Sequence, residues 1–230
     1  MEGATSLRTK RDPEAKNTTH SAPGLDPASV KKIEDFWIDR ASGPSCKILT
    51  GGTLAFAEFG YHGASTRAIA TRAGMSPASV YIHFDSKEDL FHRIALEGHK
   101  LSTGSFSDAA RLGADPASQL RIGIASFAAF NAEWGLLART IEYEMRLHRS
   151  ERFADIWAMR HAVNQHLKDI LIAGVQQGQF QIADPEWMKI LLLSTCIDIG
   201  RWYQPTNPTS PEAIGFQYAD LAMTLVHANR

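Results

Sequence analysis

The sequence predicts an all-α chain, and three observations carry that expectation. One helix-start signal recurs along the chain, apolar residues fall at helical spacing, and no stretch alternates enough to make a sheet. The start signal is an Asp or Ser N-cap followed by Pro in the first helical position, where the missing amide hydrogen costs nothing. It stands at Asp26-Pro27, Ser76-Pro77, Asp115-Pro116, Asp184-Pro185 and Ser210-Pro211. With 230 residues, 44% of them apolar, the chain can bury one large core or two small ones.

Residues 1–43 alternate charges (Arg8, Lys10, Arg11, Asp12, Glu14, Lys16) between Pro and Gly, and read as a mostly mobile polar extension. Within it, Asp26-Pro27 can open a short helix that turns Val30, Ile33 and Trp37 to one side. Residues 44–95 read as a separate small domain. Ile48, Leu54, Ala55 and Phe59 give its first helix an apolar side, which Gly60 ends. Ser65 caps a two-turn helix burying Ile69 and Ala70, Gly74 closes it, and Ser76 opens the next helix two residues later.

Two short helices joined by a tight glycine turn make a helix-turn-helix, whose second member enters the major groove of DNA. Its exposed side carries Pro77, Ala78, Ser79 and Ile82, while Val80 and Phe84 point inward. Small residues there let the backbone approach bases and phosphates. Ser86 and Asp89 then suit a capping box for another helix. Lys87 in its first turn opposes the helix dipole, and a phosphate neighbour would account for it.

Residues 96–230 read as a larger helical domain for ligand binding and dimerisation. Leu120, Ile124, Phe127 and Phe130 share one helix side, and the span from Trp134 to Gln177 holds a shorter helix to about Leu147 and a long one from about Glu151, closed by Gly178. Phe127, Phe130, Trp134, Met145 and Trp157 offer an apolar lining, and Arg139, Arg146 and Arg160 suit an anion. The same residues also suit a plain core and helical ion pairs with Glu142 and Glu144. Nearer the C-terminus, Ile190, Leu193, Ile197 and Arg201 follow one line, with Ile214, Tyr218, Leu221 and Leu225 on the final helix. Two such helices per chain suit a four-helix bundle across a two-fold axis, with packing inside one chain as the alternative.

Composition narrows the function classes. A formal charge of -1 excludes a molecule basic all over, and between Lys47 and Lys100 six cations face five acids, so a monomer would hold DNA poorly and a dimer better. Cys46 and Cys196 match no metal spacing, and the N-terminus lacks a signal-peptide core, which favours a reducing cytoplasm. The most apolar segment, Trp187 to Tyr203, falls short of a membrane span and carries Lys189, Asp198 and Arg201. His161 and His166 stand five apart, a poor fit to one helix face, and no metal, phosphate-loop or hydrolase motif is present, so an enzyme is not expected.

The run "AGMSPASVYIHFDSKEDL" from Ala73 to Leu90, with Phe56, Phe59, Gly60, Tyr61, Ile69 and Ala70 before it, resembles the DNA-binding domain of the TetR/AcrR family of one-component repressors. The resemblance covers residues 45–95. It implies that Tyr81, His83 and Lys87 clamp phosphates and that Ser76 to Ser79 and Ile82 approach base edges, with Ser65 and Arg67 completing the DNA-contacting set. Three positions depart from the family's habit: Ala64 for a common Thr, Ala68 for a usual acid, and Ile82 for a common polar residue. Farther on, "LLARTIEYEMR", "IWAMRHAV", "AGVQQGQF" and "IDIGRWYQP" are similar to C-terminal domains of TetR-type repressors of fatty-acid and sterol catabolism. That similarity implies an acyl-CoA thioester as effector, met by Trp157 and Arg160, and no other cofactor. The expected protein is a homodimeric repressor that leaves a partly palindromic double-stranded operator when its effector binds. A transcriptional activator, or a dimeric ligand-binding protein without specific operator binding, are the alternatives.

Overall fold

A computed structural model describes residues 25–227. Within them the chain forms ten α-helices: α1 Pro27–Ile38, α2 Gly43–Gly63, α3 Thr66–Arg72, α4 Pro77–His83, α5 Lys87–Ala110, α6 Pro116–Glu133, α7 Gly135–Glu144, α8 Ala154–Gln176, α9 Pro185–Trp202 and α10 Pro211–His227. Two 3-10 turns, Met145–Leu147 and Glu151–Phe153, join α7 to α8. Each N-cap that the sequence marks opens a helix, while α2, α7 and α8 begin without a side-chain cap. Asp26, Ser65, Ser76, Asp115 and Asp184 each accept an amide hydrogen from the first turn, and Asp115 with Ser118 forms a complete capping box. Ser86 accepts from the Asp89 amide, but the Asp89 carboxylate takes the amide of Asp85 rather than that of Ser86, so only half of the expected box forms.

The polar extension ends earlier than expected. Ile33, Phe36 and Trp37 of α1 are buried, and the Trp37 indole donates 3.0 Å to Thr53 Oγ1 in the middle of α2. Residues 27–38 are therefore part of the first core, because three large apolar side chains on one helix face outweigh the charges around them. Arg8, Lys10 and Arg11 lie outside the described residues. Helix α2 lies at the centre of this end of the molecule, touching α1, α3, α4, α5 and α7. Gly60 takes φ 69° and ψ 170°, which breaks the helix where the sequence expects it to end, and one further turn runs on to Gly63. Phe56 rather than Phe59 fills the core, and Phe59 lies half-exposed with the Arg72 guanidinium 5.5 Å from its ring.

Two apolar cores share one beam. The first gathers α1 to α4, and its Leu90, Phe91, Ile94 and Ala95 come from the first half of α5; α7, the α7–α8 connection and the first turn of α8 add Leu137, Ile141, Met145, Phe153 and Ile156. The second gathers α6, α8, α9 and α10 around Phe106 and Ala110 from the far half of α5. The boundary placed at residue 95 from sequence is thus a point inside a continuous 24-residue helix. Helix α10 packs along α6, where Gly215 permits the approach: a Cβ there would overlap the carbonyl oxygen of Ala125. No described helix is long and apolar enough to cross a membrane.

Candidate DNA-reading head and ligand cleft

The reading head is built by short-range capping. Gly74, at φ 65°, reverses the chain between α3 and α4. Val80 and Phe84 anchor α4 inward, which leaves Pro77, Ala78, Tyr81, Ile82 and His83 exposed and Ser79 half-buried. Most polar groups of this face already have partners. Ser76 and Ser79 hydroxyls bond each other at 2.8 Å, the Tyr81 hydroxyl meets Thr66 Oγ1 at 3.2 Å, and His83 Nδ1 meets Ser45 Oγ at 3.3 Å. Ser65 is engaged as the α3 cap, while Arg67 is exposed with no side-chain partner among the described residues.

Lys87 has a role that its sequence position disguised. Its ammonium donates to the carbonyls of Tyr61 (2.7 Å) and Ala64 (3.1 Å) and sits 4.5 Å from the Tyr61 ring centroid. It neutralises the carbonyl end of α2. No phosphate is needed to explain a cation there, and one of its three donors remains for other work.

The second feature is a cleft of about 690 Å³ between α7, α8, α9 and α10, lined by Glu142, Tyr143, Arg146, Arg160, Asn164, Ile190, Leu193, Ser194, Thr195, Ile197, Asp198 and Tyr218. A smaller recess shares Glu142, Arg160, Asn164, Leu193 and Ile197 and continues inward to Phe127, His99, Ser102 and Thr103. His99 is 1% exposed on α5, in the seam between the two cores. Its Nδ1 lies 2.8 Å from the Ala95 carbonyl, which can only accept, so Nδ1 carries the hydrogen and Nε2 is free to accept from Arg160 Nη1 at 2.8 Å. The same Arg160 nitrogen reaches Glu142 Oε2 at 2.5 Å. Burial pushes the His99 pKa below its ordinary value, keeping the ring neutral beside the guanidinium. Arg160, Glu142 and the neutral, buried His99 thus connect the cleft to the middle of α5.

Of the eight ligand residues expected from sequence, the clefts gather Phe127, Arg146 and Arg160. The others go elsewhere. Trp134 packs edge-on against Phe36 of α1, Met145 is buried in the first core, Phe130 is buried, and Arg139 faces the gap beside Gly60. Trp157 does not line the cleft; its ring lies between the guanidinium groups of Arg149 (4.3 Å) and Arg160 (5.3 Å), and its indole donates to the His148 carbonyl. Sequence reading missed His99, Asn164, Ser194 and Thr195 as lining groups; Asn164 stands one turn beyond Arg160, which was the available signal.

The expected dimer residues also divide. Leu193 and Ile214 are buried within the chain, and Ile190, Leu193, Ile197 and Tyr218 line the cleft. Within the chain, α9 is apolar on several sides, part of which α6, α7 and α8 cover, and α10 turns Ile214 toward α6. Ile190, Arg201, Leu221 and Leu225 remain exposed, joined by Trp187, Leu191 and Trp202 on α9 and Phe216 on α10. Arg201 forms two hydrogen bonds, 2.7 and 2.9 Å, to Asp198 and holds that carboxyl below its usual range.

Head and cleft are tied together by the α7–α8 connection. Its His148 is buried between Phe91 (4.6 Å), Phe153 (4.6 Å) and Tyr61 (4.4 Å), with Nε2 lacking any hydrogen-bond partner. Arg152 pairs with Asp89, and Asp155 with His92 at 3.2 Å, on the first turns of α5.

A family model described as "Bacterial regulatory proteins, tetR family" matches residues 48–94, and one described as "Tetracyclin repressor-like, C-terminal domain" matches residues 113–226. The HTH-type transcriptional repressor KstR2 of Rhodococcus jostii (strain RHA1) is 27% identical over 184 residues, 79% of this chain and 90% of that protein. A crystal structure of a tetR-family regulatory protein from Rhodococcus RHA1 has a TM-score of 0.75 at 29% identity, covering 83% of this chain and all (100%) of that one. The structure of AibR in complex with isovaleryl coenzyme A and operator DNA has a TM-score of 0.70 at 23% identity, over 80% of this chain and 98% of that one, a likeness of fold. With a capped helix-turn-helix at one end of α5 and a cleft-bearing helical domain at the other, the chain belongs to the TetR family of transcriptional regulators.

Proposed function

We propose that the protein is a dimeric repressor whose α4 helices read the two halves of a partly palindromic operator and which an acyl-CoA thioester releases. The observation that carries this reading is the cleft of about 690 Å³: cations at its mouth, apolar side chains along one wall, and a floor that reaches His99 on the helix bearing the reading head. Arg146 has no acidic partner among the described residues and, with Arg160, offers forked donors to phosphates; Ile190, Leu193 and Ile197 offer an apolar wall to an acyl chain. KstR2, by its name a repressor, and AibR, by its complex with isovaleryl coenzyme A and operator DNA, support this assignment by likeness. The exposed apolar residues of α9 and α10 supply the two-fold contact.

An effector shifts an equilibrium only by its differential affinity for the two states. An anion that draws Arg160 toward the cleft would weaken its bonds to His99 and Glu142 and free α5 to tilt, changing the spacing of the two heads. The test is fluorescence anisotropy with a labelled duplex from upstream of the protein's own gene, against random DNA as competitor. Acyl-CoA thioesters, free coenzyme A and the free acids are then titrated in. Release by thioesters alone is the expected result; release by none of them would remove this effector class.

A further inference from the structure

We propose that Ile82 reads the 5-methyl group of a thymine in each operator half-site. This inference rests on the reading above, that α4 docks in the major groove. Ile82 is 78% exposed on the outward face of α4, with exposed Ala78 one turn before it. Around that apolar ridge the hydroxyls of Ser76 and Ser79 satisfy each other, and Tyr81 and His83 are turned toward Thr66 and Ser45. The central side chain of the reading face therefore offers carbon and no donor or acceptor.

In the major groove every base edge displays hydrogen-bonding atoms, and thymine alone among the four bases adds a methyl group. Ile82 against that methyl buries apolar surface on both sides. Against the edge of a G·C pair it would cover polar atoms without replacing their water, which is unfavourable. Selectivity at this position comes from a contact that tolerates thymine and penalises the other edges.

The experiment uses the full chain and a pool of random duplexes. Tight binders are selected, and the preferred duplex is remade with each thymine in turn replaced by 2′-deoxyuridine, which removes only the methyl group. One position per half-site is expected to lose about fourfold in affinity, the worth of one buried methyl-sized group, and both together about fifteenfold. Ile82→Ala, a change at an exposed site, should bind the thymine and uracil duplexes equally. A preferred duplex in which no replacement lowers affinity, or an Ile82→Ala protein that keeps the full difference, would overturn the assignment. A pool that yields no preferred sequence would instead overturn the sequence-specific regulator itself, and this contact with it.

Discussion

The two ends of α5 handle charge in opposite ways. At the reading head most cations are spent within the chain: Arg72 pairs with Glu58, Lys87 with two carbonyls, and Arg93 and Lys100 with Glu97, leaving Lys47 and Arg67 without side-chain partners among the described residues. At the cleft, Arg146 has no acidic partner among the described residues, and Arg160 is held by groups that a stronger anion could replace. The head is thus a pre-formed and nearly neutral shape, whereas the cleft sets Arg146 and Arg160 beside Glu142 and Asp198 and leaves Arg146 open to an anion. Shape should dominate DNA recognition, and charge should dominate effector recognition.

The largest way to break this contrast is to collapse the head. Trp37→Ala empties a fully buried site and removes the donor to Thr53 Oγ1, whose hydroxyl keeps its bond to the Leu49 carbonyl, so a loss of about 3–5 kcal/mol is expected in denaturant unfolding, with DNA binding lost as the head disorders. Next comes the cleft. Arg160→Met removes the bonds to His99 and Glu142 that the effector is proposed to weaken, so it should itself lower DNA affinity in the absence of effector. It should weaken the effector about 10- to 100-fold, as expected for charge-assisted hydrogen bonds. Arg146→Ala, at an exposed position, gives a smaller loss without a folding cost; an unchanged effector affinity in both would show that the arginines are structural.

His148 tests the joint between the two ends. Burial keeps its pKa below the ordinary 6.5, so the unfolded chain takes up a proton first as pH falls, and the stability it supplies is lost below that value. His148→Phe should keep the stacking on Phe91 and Phe153, remove the orphan nitrogen, and raise stability by about 1–2 kcal/mol. The drop in melting temperature between about pH 7.5 and about pH 5.5 should shrink in that variant, with His99 supplying part of what remains. An equal drop would place the acid sensitivity elsewhere.

The smallest effects concern phosphate. Tyr81→Ala should weaken binding to all DNA about two- to tenfold with little change in base preference. Unchanged affinity would restrict Tyr81 to its bond with Thr66. With Lys47 and Arg67 as the free cations of each head, a dimer should show a shallow salt dependence, a log–log slope of about -4. A slope near -10 would mean that the paired cations open on DNA.

The reading head was legible because its determinants are local. Ser65, Ser76 and Gly74 act within three or four residues of themselves, and the caps they form are where the sequence marks them. What failed there failed through distant neighbours: Lys87 answers carbonyls 23 and 26 residues away, and Phe56 rather than Phe59 meets Phe91 of α5, 5.4 Å between ring centroids. The cleft was less legible for the same reason. Glu142 suggested a partner on its own helix but bonds to Arg160, 18 residues on, and the third member, His99, is 61 residues from that arginine. Helical spacing marked Leu193 and Ile214 as apolar but could not say whether the partner was another chain or α6 and its neighbours.

The single helix shared by both cores bears on modularity. A chimera joined at residue 95 would graft a foreign ligand domain onto a head that still needs Leu137, Ile141, Met145, Phe153 and Ile156 to fill its interior. Reading heads of this family can be exchanged here only with α7, the α7–α8 connection and the start of α8 included, so operator and effector specificity are inherited together unless that piece travels with the head.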